Sequence, residues 1–456
     1  MSDTIAAIAT GRSISAIGIV RVSGEGAISA ADRLFRAKNG VMISAAENRR
    51  MYYGELFDAD GRLIDLCLCT VSRGPDSYTG EDTVEFHCHG SPVSLSELLR
   101  ALFSNGVRQA QAGEFTKRAF LNGRLDLTQA EAVIDLIEAE TPAAAQNAAG
   151  QLLGAIGLKL ESVYSLLLDV MAHFHAVIDY PDEDIGEFCI QSYLPALDSA
   201  NAALSRMLST HERGRVLREG VPTAIIGRPN TGKSSLLNAL LGYDRAIVTS
   251  IAGTTRDTVE EKILIGGVLL RLIDTAGVRK TDDTIEKLGV ERTFTAIRGA
   301  GLVILVLDGS QTLRDEDFDA LRLIPRGTPA LAAVNKSDLS SVLSAEDLSG
   351  LGLEHCSICA LSGDGLDSLE EKVRNLFPEL ETPPAGEIIT NTRQADAISR
   401  SLNSVRHAID AINASVTPDA VLCEIESALT AIGEITGKTM REDIISRIFE
   451  RFCVGK

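Results

Sequence analysis

The stretch PTAIIGRPNTGKSSLLNALLG, residues 222–242, constrains this chain more than any other. Gly227, Gly232, Lys233 and Ser234 fall in the spacing G-x-x-x-x-G-K-S, between the apolar run Ala224 to Ile226 and the leucines 236, 237, 240 and 241. A strand, a glycine-rich turn and a helix N-terminus in that order form a phosphate cradle, which demands a parallel α/β sheet around it. The glycines let backbone N–H groups face phosphates, Lys233 reaches the β and γ oxygens, and the Ser234 hydroxyl suits Mg²⁺. Asn230, Thr231 and Ser235 complete the expected nucleotide-contacting loop.

Supporting elements follow in the right order. LLRLIDTAG places Asp274 after an apolar strand on the magnesium side, with Thr275, Ala276 and Gly277 where a γ-phosphate is sensed. TSIAGTTRD, running through Thr249, Ser250, Ile251, Ala252, Gly253, Thr254 and Thr255, offers the hydroxyls of a switch loop. PALAAVNKSD ends a strand in Asn335, Lys336 and Asp338. A carboxylate at Asp338 accepts from the N1–H and exocyclic amine of guanine; adenine cannot fill those acceptors, so ATP is disfavoured. CALSG around Ala360 resembles a last base-contacting loop. Four such elements in series predict a GTP-hydrolysing domain.

Ras-like enzymes carry a water-orienting Gln directly after the D-T-A-G element, where this chain has Val278. Another group must position water and offset charge, a contribution of roughly 10³- to 10⁵-fold when an arginine finger supplies it. The side-chain oxygen of Asn230 could hold a monovalent cation near the β and γ phosphates, or simply stabilise the loop as an Asx turn.

Outside this domain the 456 residues divide by texture. Residues 1–118 read as β-rich, with IGIVRVSG, RMYYGELF, RLIDLCLCTV and TVEFHCHG as strands. Residues 119–213 read as helical, Val133, Ile134, Leu136 and Ile137 sharing one apolar face. The α/β domain occupies 214–378, and the prolines of PELETPPAGE mark a linker. Helices return over 379–456: Leu402, Val405, Ile409, Ile412 and Val416 recur at helical spacing, as do Leu422, Ile425, Leu429 and Ile432. The simplest architecture is a helical domain interrupted by an inserted α/β domain whose two ends lie close together.

A net charge of −19 argues against a protein that coats nucleic acid, and no DNA partner is expected. No apolar run approaches the roughly 20 residues of a membrane span. With no export signal visible, the eight cysteines read as reduced thiols in the cytoplasm. Cys356 and Cys359 have redox or zinc spacing but lack a second ligand pair, and His87 with His89 supplies only two ligands on one strand face. The ending RFCVGK puts Cys453 fourth from the end, yet Gly455 and Lys456 do not suit a prenylation box. Ile444, Ile445, Ile448, Phe449 and Phe452 predict a last helix, leaving Cys453 to Lys456 free to reach elsewhere.

Taken together, GRPNTGKSSLLNAL, TSIAGTTRD, DTAG, NKSD, their placement between helical halves, and the terminal FCVGK resemble the MnmE (TrmE) family of tRNA modification GTPases. The resemblance spans essentially the whole chain, and its ending is more specific than its GTPase motifs. It implies a multidomain protein of α/β and all-α parts: an N-terminal α+β domain akin to folate-binding aminomethyltransferases, a discontinuous helical domain, and an inserted Ras-like P-loop GTPase domain. The implied activity is potassium-dependent hydrolysis of GTP by a homodimer. With the FAD-containing partner MnmG, the family adds an aminomethyl-type (carboxymethylaminomethyl) group to carbon five of the wobble uridine of certain tRNAs, using a 5-formyl or methylene tetrahydrofolate.

By motif, the resemblance gives Asn230, Thr249, Ile251 and Thr254 to potassium, Ser234 and Thr255 to Mg²⁺, and Glu286 to orienting the attacking water. Folate contacts fall on Arg21, Glu81, Arg124 and Lys456, with Cys453 as a candidate catalytic thiol. A carboxylate suits the amino-pyrimidine edge of a pterin, and cations suit the folate's glutamate tail. Arg124 stands where other members have Lys, which keeps the charge and changes the donor geometry. The competing class is an RNA-binding or ribosome-assembly switch GTPase without covalent chemistry, which would need neither the N-terminal segment nor the terminal thiol.

Overall fold

The computed structural model describes residues 3–11, 13–179, 190–242, 261–273, 297–378, 386–440, 442–450 and 452–455. The chain forms two compact units: Met1–Ile134 with Gln151–Asn201 and Arg400–Lys456, and Asp135–Gly150 with Ala202–Ser399.

The first unit is built on β1 (Ile5–Ile8), β2 (Ser15–Ser23), β3 (Phe35–Ala37), β4 (Met51–Phe57), β5 (Leu63–Ser72), β6 (Thr83–Gly90) and β7 (Arg108–Gln109). They form one sheet in the order β3-β4-β5-β6-β2-β1-β7, antiparallel except for the short parallel pairing of β7 on β1. Alternation along the strands decides which face is covered. In β6, Val84, Phe86 and Cys88 are buried. They pack with Ala27, Ala30, Ala31 and Leu34 of the helix Ala27–Leu34 and with Leu95, Leu98 and Leu102 of the helix Pro92–Ser104. Ser91 caps the second of these helices by accepting from Ser94 N–H, and Pro92 occupies its first turn. The opposite face carries Glu85, His87 and His89 beside exposed Ile17, Tyr53, Leu66 and Leu68.

The chain's last helix, Glu442–Phe449, packs on the helix Glu114–Leu121 of the same unit, with the rings of Phe120 and Phe449 6.3 Å apart and those of Phe449 and Phe452 5.0 Å apart. Leu127, Ala130, Ile445, Phe449 and Phe452 form the buried cluster there. The apolar face expected from Val133, Ile134, Leu136 and Ile137 is therefore displaced. Leu136 and Ile137 are exposed, and the helix Leu127–Ile137 buries its first turns instead, because the packing partners sit at that end. Val416, expected on a helical stripe, is exposed and lies past the end of the helix Thr392–Asn413.

The second unit holds β8 (Val221–Ile226), β9 (Glu261–Ile265), β10 (Val268–Leu272), β11 (Leu302–Asp308), β12 (Ala330–Asn335) and β13 (Glu354–Ser357), in the order β13-β12-β11-β8-β10-β9. All neighbours are parallel except the β9–β10 hairpin. Its turn is Gly266-Gly267, with φ of 60° and 81°, the left-handed pair that a tight two-residue hairpin needs. Every residue of LVILVLD in β11 is buried, as expected of a central parallel strand covered on both faces. From β8 the chain passes first to β9 and β10 on one side and then to β11 on the other. The carboxyl end of β8 is thus the switch point of the sheet, where open α/β folds bind ligands.

Entry to and exit from this domain lie side by side. Thr210 Oγ1 accepts from Ile389 N–H at 3.0 Å, and Asn147 bonds both the carbonyl and the N–H of Ile388 at 3.2 and 3.3 Å.

Candidate functional site

The loop after β8 runs from Gly227 to Gly232 and feeds the helix Lys233–Gly242, anchored in the core by Leu236, Leu237 and Leu240. Two glycines are obligatory. A Cβ on Gly227 would lie 2.3 Å from Val306 O, and one on Gly232 would lie 2.1 Å from Asn335 Nδ2; both residues have positive φ. Asn230 is also left-handed, at φ 65°, a conformation Asn tolerates better than most residues. Thr231 Oγ1 donates to Arg228 O at 3.1 Å and closes the turn.

Lys233 Nζ donates to Gly227 O and Arg228 O, both at 2.8 Å, so the ammonium is folded into its own loop. Burial, followed by the nearby Arg228 guanidinium, holds this lysine below the usual range. A polyphosphate laid along the loop would replace two neutral carbonyls with anionic oxygens, a stronger partner for a desolvated cation.

Asn335, at the end of β12 and 3% exposed, ties this loop to the base-reading side. Its Nδ2 donates to Thr231 O at 2.9 Å, and its Oδ1 accepts from Ala360 N–H at 3.0 Å. Lys336 follows with φ 70°, and its Nζ donates to Asp308 Oδ2 at 2.7 Å. Burial pushes the Asp308 carboxyl upward, but Lys336 and the Ser310 hydroxyl and N–H outweigh it and hold the carboxyl below its ordinary value. Asp338 Oδ1 accepts from Cys359 Sγ at 3.3 Å. Cys359, read above as half of a redox or zinc spacing and as the first residue of CALSG, thus braces the Asp338 carboxylate. A cavity of about 610 Å³, lined in part by Ser235, Asn238, Ala360, Ser362 and Leu366, opens between this loop and the helix after the phosphate loop. Among the described residues no His, Cys, Asp and Glu cluster is arranged as a metal site.

The glycine cradle and the half-buried lysine fit a nucleoside triphosphate, and Ser234, second in the helix, is the described residue that would ligate the accompanying Mg²⁺. Thr249, Ser250, Ile251, Ala252, Gly253, Thr254, Thr255, Asp274, Thr275, Ala276, Gly277, Glu286 and Lys456 lie outside the described residues.

A second constellation sits in the first unit. Arg21 on β2 pairs with Glu85 at 2.7 Å, and its guanidinium lies 5.3 Å from the Tyr78 ring centroid and 5.7 Å from that of Phe115. Glu81 Oε2 accepts from Ser23 Oγ and Arg118 Nη1, both at 2.9 Å. Arg118, 8% exposed, also bonds Asp3 and Glu114. Sequence reasoning missed it; its only signal is the concentration of charge in GEFTKR. Arg124 flanks the same loop, its Cγ 3.4 Å from where a Cβ on Gly80 would stand, and lies 3.8 Å from Asp76.

The C-terminal tail is pinned rather than free. Val454 forms a bridge with Ala112, Gly113 N–H donates to Cys453 O at 3.3 Å, and a Cβ on Gly455, φ 105°, would stand 2.2 Å from Ile8 O. Ala7, next to Ile8, is the cross-strand partner of Arg21. Cys453 itself is exposed.

The doubly wound sheet, the phosphate loop at its switch point and the N-K-x-D loop beside it define a P-loop GTPase. Comparison with known proteins narrows this. The MnmE helical domain matches residues 127–453, and the N-terminus of the GTP-binding protein TrmE matches residues 4–124. The tRNA modification GTPases MnmE of Clostridioides difficile strain 630 and Alkaliphilus metalliredigens strain QYMF are 40% and 42% identical to it, each over 460 residues and 100% of both chains. That of Heliobacterium modesticaldum is 43% identical over 466 residues, again across 100% of both. This chain belongs to the MnmE family of tRNA modification GTPases, which makes it a GTP-hydrolysing enzyme with tRNA as the substrate of its pathway.

Proposed function

We propose that this protein is a cytoplasmic, potassium-dependent GTPase that works as a homodimer with an FAD-containing MnmG-type partner. Together they add a carboxymethylaminomethyl-type group to carbon five of wobble uridine in certain tRNAs. The one-carbon unit comes from a 5-formyl or methylene tetrahydrofolate. In this reading residues 1–118 hold folate and support dimerisation, 119–213 and 379–456 form the helical domain, and 214–378 hydrolyse GTP.

The observation that carries the reading is the pinned tail. It brings Gly455 against Ile8, one residue from the Arg21 partner Ala7, so an exposed thiol and the cations proposed for folate belong to one unit. A switch GTPase has no use for that arrangement. Oε2 of Glu81 is fixed by Ser23 and Arg118, and Oε1 has no protein hydrogen bond among the described residues. That suits a carboxylate held for a pterin's amino-pyrimidine edge, with Arg21, Arg124 and Lys456 supplying positive charge. The open sheet face, where Ile17, Tyr53, Leu66 and Leu68 are exposed beside Glu85, His87 and His89, supports a second copy as partner.

Potassium would be held by Asn230, Thr249, Ile251 and Thr254, and Mg²⁺ by Ser234 and Thr255, with Glu286 orienting water. When bound, the monovalent cation supplies the positive charge an arginine finger would otherwise provide. Asn230 is exposed in the phosphate loop, which leaves its side-chain oxygen open to a ligand and supports the first assignment.

The test is reconstitution: the full-length protein, the flavoprotein, tRNA, GTP and methylene tetrahydrofolate, with nucleoside mass read after incubation in K⁺ or in Na⁺. Modified uridine with faster GTP turnover in K⁺ is the expected result. Brisk turnover with no change of nucleoside mass in either salt would replace this reading with the switch.

A further inference from the structure

The phosphate loop is held from outside by a buried ion pair that no GTPase motif predicts. Arg228 Nε donates to Asp317 Oδ2 at 3.2 Å, and the two side chains are only 7% and 2% exposed. Asp317 is fixed in turn, its Oδ2 accepting from Arg314 N–H at 3.0 Å at the start of the helix Asp315–Arg322. The backbone carbonyl of the same Arg228 receives Lys233 Nζ and Thr231 Oγ1. Its side chain is thus clamped to the domain, while its main chain holds the phosphate-binding lysine.

The guanidinium reaches further. Arg228 Nη2 donates to Gln311 Oε1 at 3.3 Å, and Gln311 Nε2 donates to Asp308 Oδ2 at 3.2 Å. That same carboxylate oxygen receives Lys336 Nζ from the base-reading loop. Arg228, Gln311, Asp308 and Lys336 therefore form one unbroken polar chain from the phosphate loop to the residue two positions before Asp338. Gln311 is the only neutral member; its Oε1 accepts from Arg228 and, at 2.9 Å, from Arg314 Nη2, while its Nε2 donates toward Asp308.

We infer that Gln311 is a positioning residue that couples the two ends of the nucleotide site through Arg228 and Asp308. Seating guanine against Asp338 fixes Lys336 and Asp308, which holds Gln311 and hence the Arg228 carbonyl that cradles Lys233. Base and phosphates then bind cooperatively. No hydrogen bond joins Gln311 to Asp338 directly among the described residues; the side-chain route between them runs through Asp308 and Lys336, beside the separate tie made by Asn335.

A double-mutant cycle tests this. GTP affinity is measured with Mg²⁺ for the full-length protein, Gln311→Leu, Asp338→Asn and the double variant. Unconnected sites add to within about a factor of two, whereas members of one hydrogen-bond network do not. The expected result is that the fold-loss caused by Asp338→Asn shrinks by about five- to tenfold in the Gln311→Leu background. A change smaller than about threefold would overturn the inference. Gln311→Glu serves as the second variant, because it keeps an acceptor for Arg228 but at neutral pH offers Asp308 no donor. It should attenuate the Asp338→Asn penalty as strongly as Gln311→Leu, and full retention of that penalty would refute a link through Asp308. Gln311 is half-buried at the edge of the domain, so either substitution leaves the core intact.

Discussion

Asn335 offers the sharpest test of how this site is built. In Asn335→Ala, Thr231 O loses a donor at 2.9 Å and Ala360 N–H loses an acceptor at 3.0 Å, at a position 3% exposed to water. A buried hydrogen bond is worth about 1 kcal/mol net, and an orphaned buried group costs about 1–3 kcal/mol, so two lost bonds predict about 3 kcal/mol in total. That corresponds to roughly 150-fold in an equilibrium constant. The loss should divide between the stability of the inserted domain, read by urea denaturation, and affinity for GDP, read by titration of the full-length protein. Asn335→Asp separates bonding from size. It keeps an acceptor for Ala360 N–H but turns a carboxylate oxygen toward Thr231 O and the phosphate loop, so nucleotide affinity should fall further than in the alanine variant. Wild-type GDP affinity in both variants would refute the view that Asn335 ties the phosphate loop to the base loop.

Asp338→Asn should weaken GTP by about 10²-fold, the scale of a charged hydrogen-bond pair, and shift preference toward xanthosine triphosphate; an unchanged preference counts against base reading by this carboxylate. Lys233 is held below the usual lysine range before nucleotide binds, and the phosphates favour its charged form. Affinity for GTP is therefore complete below the free-state value and declines as pH rises through it, earlier than for an ordinary lysine; titrations that stay flat up to pH 10.5 would contradict this. Gly455→Val, with a Cβ 2.2 Å from Ile8 O and an unfavourable φ of 105°, should release the tail to carboxypeptidase while GTP turnover stays unchanged; equal trimming of variant and parent would show that the pinning does not hold in solution.

The GTPase part was legible in the sequence because its chemistry is local. A cradle for phosphates needs Gly227, Gly232 and Lys233 at fixed spacing between a strand and a helix, and the backbone of one short segment builds nearly all of it. The apolar run Leu302 to Leu307 is too short to cross a membrane, and in the structure it is the central strand β11, buried along its length as a parallel strand covered on both faces must be. The sequence could also place the last helix, from the spacing of Ile445 and Phe449, although Ile444 is exposed and Phe452 packs from beyond the helix end, at Phe449.

Pairings between distant segments were not written in any local pattern. Arg228 meets Asp317, Cys359 meets Asp338, and Arg118 gathers Asp3 and Glu81; these contacts arise because the fold brings their segments together, and spacing along the chain carries no trace of it. The tail shows the division most clearly. Sequence alone determined that a thiol, a glycine and a lysine follow an amphipathic helix. Tertiary structure decided that the segment through Gly455 is not free, since Val454 finds an open backbone partner at Ala112, and a glycine at 455 alone lets the chain approach Ile8 closely enough to stay there.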